Sequence, residues 1–533
     1  MKRLLPLPFA LLFALPLCAQ ERAGVRPIPP PGIPVPPEER AALEGGLEKL
    51  ASEIKSLEQF ARSKNLAGLA DVRIFHKAVD WALRYDEFFD PKQIQAAKKQ
   101  LEIGMQRARE LREGKPSWNS ATGLVVRGYV SKIDGSIQPY GLVVPDDWKP
   151  ADKKPRRLDF WLHGRGEKLS ELAFLEDRMK NKCECTPPGA FVLHLYGRYC
   201  CANKFAGEVD LFEALEDART HYPIDLNRLV VRGFSMGGAS AWQFATHYAD
   251  RWAAAAPGAG FAETAEFFKV FAPGKEPPPW WEQVLWRWYD STLYAANLAN
   301  CPTVAYSGEI DGQKQAADIM IRYAEKEGVT IPHIIGPQTA HKYHPESKPK
   351  IEEFVTVAAT KGRDEFRDPM RFVTYSLIYP QMGPVRITGM EKEWERAELT
   401  LSRDNHQPKT IETRNVTRFV LTTPSKKAST PNIIVDGTSL PFPGTGTFIK
   451  VDGRWSAEKR EPATLSARES RKTPATCGPI DHAFMDRFVM VRPTGKPLNE
   501  TVGNWARSEL DHALEFWRRV FRGDAPVKDD KAV

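Results

Sequence analysis

The sequence predicts an α/β protein: a mostly parallel sheet covered by helices on both faces, within a chain of 533 residues. Three observations predict it. Strand-like runs alternate with helical patterns between Gly123 and Lys361, as consecutive βα units do. The run Leu229 to Val231 is apolar throughout and reads as a buried strand. That run leads through Gly233-Phe234-Ser235-Met236-Gly237-Gly238 into a helical pattern with Ala239, Ala241, Trp242 and Ala245.

Taken in order, Lys2 and Arg3 precede an apolar run from Leu4 to Leu17, with Ala19 as a small residue suited to cleavage. The run is too short to span a bilayer and reads as a secretory signal over residues 1–19, which predicts a secreted or periplasmic protein. Cys18 suggests a lipoprotein, but the bulky Leu17 before it disfavours that reading. No other stretch is apolar for long enough to be a membrane helix. Residues 20–37 hold seven prolines and predict an extended, exposed spacer.

Residues 38–115 read as a helical module. Leu43, Leu47, Leu50, Ile54 and Leu57 recur by threes and fours; Asp71 suits the cap of a second helix, and Asp90-Pro91 starts a third. Residues 120–362 carry the α/β pattern. Leu124 to Val130 and Gln138 to Val144 flank an Asp134-Gly135 turn and read as antiparallel opening strands. Leu158 to Leu162, Phe191 to Leu195, the run before Ser235, Ala253 to Ala256, Thr303 to Tyr306 and Ile331 to Ile335 follow as strands. Residues 365–475 read as a β-rich domain of short strands separated by turns such as Asp436-Gly437 and Asp452-Gly453. Residues 476–533 add a strand, Phe488 to Val491, and a helix that Gly523 would close.

A net charge of +7 is small for this length and scattered, which argues against nucleic acid as a partner. Cys183, Cys185, Cys200 and Cys201 lie close in sequence. They read as one or two disulfides tying neighbouring loops, with free thiols as the alternative and poor spacing for zinc.

The chemistry gathers around Ser235. A serine on a sharp turn between strand and helix needs small neighbours two residues either side, here Gly233 and Gly237. This is the nucleophile elbow of an α/β-hydrolase. A serine hydroxyl needs an imidazole to take its proton, and the imidazole needs a carboxylate to fix its tautomer. In this fold both follow the serine, acid before base. Asp311, in the turn Ser307 to Gly312, is the expected acid, with Glu309 second. His341 is the expected base, with His344 second. Two backbone amides, of Met236 and of Arg165 in the loop His163 to Gly166, are the expected oxyanion hole. The cluster Trp280, Trp281 and Trp286 suggests either core or the wall of a substrate site.

Together the elbow, Asp225 to Arg228, Ser307 to Asp311 and the His341 loop resemble the prolyl-oligopeptidase-type serine peptidase family over about Leu124 to Lys361. They are also similar to secreted polyester depolymerases and feruloyl esterases. The resemblance implies an acyl-enzyme mechanism without metal or other cofactor, and a peptide or ester substrate. One departure stands out: the well-known oligopeptidases carry a β-propeller ahead of the hydrolase, where this chain has a helical module. Two further readings stay open, a non-catalytic polymer-binding protein and a metal-dependent hydrolase using His341 and His344.

Overall fold

A computed structural model describes residues 27–61, 68–182, 184–365, 367–423, 432–458 and 472–533. The signal segment, Cys18 and Cys183 lie outside them. Three helices come first: α1 (Pro37–Ala61), α2 (Ala70–Arg84) and α3 (Lys92–Arg112). Leu43, Leu47, Leu50, Ile54 and Leu57 of α1 are all buried, as their spacing on one helix face requires. Asp71 does not cap α2. It sits in the first turn, where its carboxylate accepts from Gly128 N (2.8 Å), Trp118 Nε1 (2.8 Å) and the buried Arg127 (2.9 Å). The residue that reads locally as a cap thus fastens the helix to the sheet. The proline-rich stretch is also more than a spacer: Ile28, Ile33 and Val35 pack against the core, and Ile33 N donates to Phe88 O at 2.6 Å.

The central sheet follows, with strands β1 (Gly123–Val130), β2 (Ile137–Val144), β3 (Arg156–Leu162), β4 (Phe191–Leu195), β5 (Ile224–Phe234), β6 (Ala254–Gly258), β7 (Ala305–Gly308) and β8 (His333–Gly336). Its order is β1-β2-β4-β3-β5-β6-β7-β8; β1 and β2 are antiparallel to their neighbours and all other pairs are parallel. Its helices are α4 (Glu171–Arg178), α5 (Ala206–His221), α6 (Met236–His247), α7 (Trp280–Trp286), α8 (Lys314–Lys326) and α9 (Ser347–Lys361). Alternate strand residues serve opposite faces. Val230, Ala254, Ala256 and Tyr306 pack with Ile351 and Val355 of α9, whereas Val231, Ala255 and Ala305 join the core that holds Trp242 and Ala245 of α6. This two-sided burial is why the runs read as continuously apolar. It is the α/β-hydrolase sheet.

Beyond it, β9 (Met370–Thr374), β10 (Gln381–Met382), β11 (Val385–Met390), β12 (Ala397–Asp404), β13 (Gln407–Arg414), β14 (Val416–Thr422), β15 (Asn432–Val435), β16 (Thr438–Pro441), β17 (Thr445–Val451) and β18 (Arg454–Glu458) build two five-stranded sheets. Inward residues such as Leu399, Ile411, Phe419 and Phe448 share one core. The chain ends with β19 (Met490–Arg492), α10 (Glu500–Phe521) and β20 (Val527–Asp529). Gly523 does not close α10. Arg522 takes the left-handed conformation (φ 53°), and its buried guanidinium reaches Glu87 before α3 and Glu171 of α4 at 2.6 and 2.5 Å. Those ion pairs fix a conformation that a side chain seldom adopts.

The cysteines differ from the leading expectation. Among the described residues, Cys185, Cys200, Cys201, Cys301 and Cys477 form no disulfide with one another. Cys200 and Cys201 lie against separate partners, Met236 Sδ (4.0 Å) and Gly197 O (3.1 Å). Among the described residues no three His, Cys, Asp or Glu side chains gather as metal ligands, and no helix is long and apolar enough to cross a membrane.

Candidate active site

Ser235 occupies the single position between β5 and α6, at φ 59° and ψ −121°. A conformation of this kind costs about 1–3 kcal/mol and persists only where its surroundings enforce it. Here Ser235 N donates to Gly258 O of β6 at 2.9 Å, and the flanking turn has no room for side chains. A Cβ at Gly237 would stand 1.9 Å from Leu162 O, and one at Gly233 would stand 2.3 Å from Gly237 O. The strand–serine–helix junction is therefore compact because glycine stands on both sides of it.

The loop after β3 reaches the elbow from the other side. A Cβ on Gly164 would lie 3.6 Å from Ser235 Cβ, in ordinary contact. His163 anchors this loop, with Nδ1 2.7 Å from Gly164 O and Nε2 3.0 Å from Tyr196 O. Burial lowers its pKa, and a neutral imidazole can donate to only one of the two carbonyls. The Arg165 side chain points outward to Glu167 at 2.6 Å. Met236 is the first residue of α6, so its N–H has no acceptor within the helix and sits at the positive end of the helix dipole.

Asp311 and His341 come together across two loops. Asp311 Oδ2 lies 2.8 Å from His341 Nδ1, and Asp311 Oδ1 accepts from Gln313 N at 2.9 Å. The carboxylate side chain is 2% exposed and the imidazole 38%. The loops are zipped by backbone bonds, Glu309 N to Gly336 O (2.9 Å) and Ile310 N to Thr339 O (3.1 Å). With Nδ1 turned to the acid, Nε2 is the nitrogen left for another partner. The His341 ring lies 4.8 Å from that of Phe234, the residue before Ser235, which brings the imidazole to the elbow. Tyr343 stacks beneath, 4.8 Å from Phe234 and 4.6 Å from Tyr306.

The second-choice residues do other work. Glu309 Oε2 accepts from Gln338 N (2.7 Å) and Gln338 Nε2 (2.9 Å), clamping the acid loop to the histidine loop. His344 accepts from Glu346 N at 3.3 Å, and its own N–H donates to Tyr306 Oη at 2.7 Å. The tryptophans divide. Trp280 and Trp281 are 76% and 53% exposed, Trp286 is half-buried against Phe271, and Trp288 is core.

Two further charged groups pack along α6, the helix that follows Ser235. Glu208 of α5 is fully enclosed. It accepts from Tyr248 Oη, Tyr289 Oη (3.1 Å), Tyr379 Oη (2.9 Å) and Gln243 Nε2 (3.1 Å), and burial raises its pKa to about 7. It stands with Asp210 among the inward residues of α5, beside the apolar Leu211, Ala214 and Leu215. Lys204 is the other, an ammonium over two aromatic rings. A cavity of about 550 Å³ opens elsewhere, lined by residues including Asp250, Arg363, Met382 and Arg403, where the hydrolase meets the β-rich sheets. None of its lining belongs to the elbow, the Asp311 turn or the His341 loop.

Residues 203–358 match the model of the prolyl oligopeptidase family. No curated protein matches the chain. Among solved structures it is similar to an S-formylglutathione hydrolase from Staphylococcus aureus, at 18% identity and TM-score 0.32 over 45% of this chain and 97% of that one. It is also similar to the acylaminoacyl peptidase of Pyrococcus horikoshii, at 13% identity and TM-score 0.35 over 46% of this chain and 43% of that one. A thermostable esterase gives 17% identity and TM-score 0.30 over 45% and 63%. With its match to the prolyl oligopeptidase family running across the elbow and on past the Asp311 and His341 loops, the protein is a serine hydrolase of the α/β-hydrolase fold.

Proposed function

We propose that the protein is an exported serine peptidase of the prolyl-oligopeptidase type, with Ser235 as nucleophile, His341 as base and Asp311 as the acid that orients it. The observation that carries this reading is the Asp311–His341 pair, 2.8 Å apart, with the imidazole set against the residue before Ser235. As Ser235 Oγ bonds to the substrate carbonyl carbon, His341 Nε2 takes the hydroxyl proton. The carbonyl π electrons move to oxygen, which the N–H groups of Met236 and Arg165 stabilise. Collapse breaks the bond to the leaving amine, which receives the proton from His341 and leaves an acyl-Ser235 ester. Water then adds with His341 again as base, and the acid product departs as the proton returns to Ser235.

Ester hydrolysis is the second reading. The exposed Trp280, Trp281, Phe268 and Phe271 favour it, an aromatic surface on the segment after β6 that suits a flat, apolar substrate. Export rests on residues 1–19 alone.

A fluorophosphonate probe tests the assignment. Wild-type protein is expected to be labelled at Ser235 and Ser235→Ala to stay unlabelled; labelling that survives the change would refute it. Peptide anilides against nitrophenyl esters then divide the two readings. N-terminal sequencing of protein recovered outside the cytoplasm, with cleavage near Ala19, tests export.

A further inference from the structure

The segment between β4 and α5 carries more backbone strain than any stretch of similar length near the site. Arg198, Tyr199, Ala202, Asn203 and Phe205 all have positive φ, between 51° and 75°, without being glycine. Strain of this kind is retained where surrounding contacts hold it, and it concentrates at ligand sites. Here Arg198 is locked to Asp134 at 2.9 Å, Ser240 Oγ donates to Ala202 O at 2.9 Å, Gln243 Nε2 donates to Asn203 O at 3.2 Å, and Phe205 N donates to Tyr289 Oη at 2.7 Å. Ser240 and Gln243 belong to α6, the helix that Ser235 opens. The strained segment is thus bound along the nucleophile helix, with Cys200 Sγ 4.0 Å from Met236 Sδ.

What this segment presents is Lys204. Its ammonium lies 5.0 Å from the Tyr289 ring centroid and 5.6 Å from that of Phe261. It has no hydrogen-bond or ion-pair partner among the described residues. The acid it feels most, Asp290, is engaged by Thr264 Oγ1 at 2.7 Å. Phe261 follows Gly260, which lies so close to α6 that a Cβ there would stand 2.2 Å from Gly238 C. One wall of the cage is therefore built directly onto the first turn after Ser235. All three side chains are only half-buried, so the ammonium is open to a ligand.

Aromatic faces hold a cation in place without using its N–H donors. An ammonium whose N–H donors find no acceptor in the fold keeps them for an anion that binds. We propose that Lys204 is a specificity-determining residue that binds a carboxylate carried by the substrate that Ser235 attacks. A single compact ammonium, with Asp290 already in its field, matches one singly charged carboxylate and not a phosphate dianion, for which a fork of several donors is the usual partner.

The inference rests on Ser235 as nucleophile, and the test separates the two. Hydrolysis of mono-4-nitrophenyl adipate is compared with that of 4-nitrophenyl hexanoate, which places the carboxylate on the acyl side. Hydrolysis of 4-(butyryloxy)benzoate is compared with that of its methyl ester, which places it on the leaving group. In Lys204→Met the charged-to-neutral ratio of kcat/KM is expected to fall on the order of ten-fold or more in one arm, chiefly through KM, as for a lost charge-assisted hydrogen bond. Lys204→Arg is expected to keep most of that ratio, which separates lost charge from lost packing. Ratios unchanged within two-fold in both arms, with Ser235 still labelled by a fluorophosphonate, overturn the Lys204 assignment alone. Wild-type protein that is not labelled at Ser235 overturns both.

Discussion

Asp311→Asn is the sharpest test of how the site works, because the structure dictates which way the new amide must face. Asp311 Oδ1 accepts from Gln313 N at 2.9 Å, and Oδ2 faces His341 Nδ1 at 2.8 Å. Asparagine has one acceptor and one donor group in place of two acceptors. Gln313 N–H claims the carbonyl oxygen, so the amide NH₂ is turned to His341. The imidazole must then present a bare Nδ1 and carry its proton on Nε2, where it can no longer accept from Ser235. The change also removes the charge that would stabilise the imidazolium. Two opposite unit charges about 4 Å apart at an effective dielectric near 20 attract by about 4 kcal/mol, roughly a thousandfold in rate. With the tautomer reversed as well, kcat is expected to fall about 10³- to 10⁴-fold, as in triads of this type. KM and the melting temperature should change little, since the side chain keeps its size. Glu309→Gln, which retains an acceptor for Gln338, should cost no more than several-fold. The assay is nitrophenyl-ester turnover beside the fluorophosphonate labelling rate, which should fall in step. A loss below ten-fold for Asp311→Asn, or a larger loss for Glu309→Gln, refutes the reasoning.

Two predictions concern the frame around the site. Arg522→Met leaves Glu87 and Glu171 buried with only Lys77, 3.2 Å from Glu171, and the rim residue Arg518, 3.4 Å from Glu87, to offset them. An uncompensated buried charge costs about 3–5 kcal/mol; urea denaturation showing a loss under about 1 kcal/mol would contradict this. Arg522 and Lys77 hold the Glu171 pKa down at about 2 even though burial opposes them, so this acid's contribution persists at neutral pH and is lost only as pH falls from its ordinary 4.5 towards 2. Glu208 has the opposite sign. Burial raises its pKa from 4.5 to about 7, so the folded state holds the proton more tightly than the unfolded chain. Its stabilising contribution is complete below pH 4.5 and fades as pH rises through 7, by on the order of 3 kcal/mol. Melting temperatures between pH 5 and pH 8 should drop more for wild type than for Glu208→Gln, and equal slopes would count against the assignment.

How far the sequence could be read follows from the range of each interaction. The elbow is legible because its constraint is local: Gly233 and Gly237 leave room for carbonyls within a few residues or on the adjoining strand end. The strands are legible because burial on both faces demands unbroken apolar runs. Asp311 and His341 can be picked from chain order, since each follows a strand of the same sheet, and the structure sets them 2.8 Å apart. Beyond that, local reading misleads where a distant partner wins. Asp71 looks like a cap until Arg127 and Trp118 arrive from the sheet side. Gly523 looks like the helix stop until Glu87 and Glu171 hold Arg522 in the left-handed conformation one residue earlier. Cys200 and Cys201 look like disulfide partners of a neighbouring loop until Met236 and Gly197 are found against their sulfurs.

The same distinction separates the two kinds of charge packed along α6. Glu208 reaches its tyrosines from three separate parts of the fold, and no spacing in the sequence announces them. Those tyrosines leave it enclosed, so its charge acts on stability. Lys204 is gathered in the same way, from Phe261 and Tyr289, but its cage is made of ring faces that fix the ammonium without satisfying it. A buried group whose partners come from the fold is complete, and substitution there should register as stability. A group that the fold positions and leaves unpaired is completed only by something that binds, and substitution there should register as selectivity. On that criterion the choice among acyl donors rests with the strained segment between β4 and α5, while the elbow supplies the same chemistry whatever the donor.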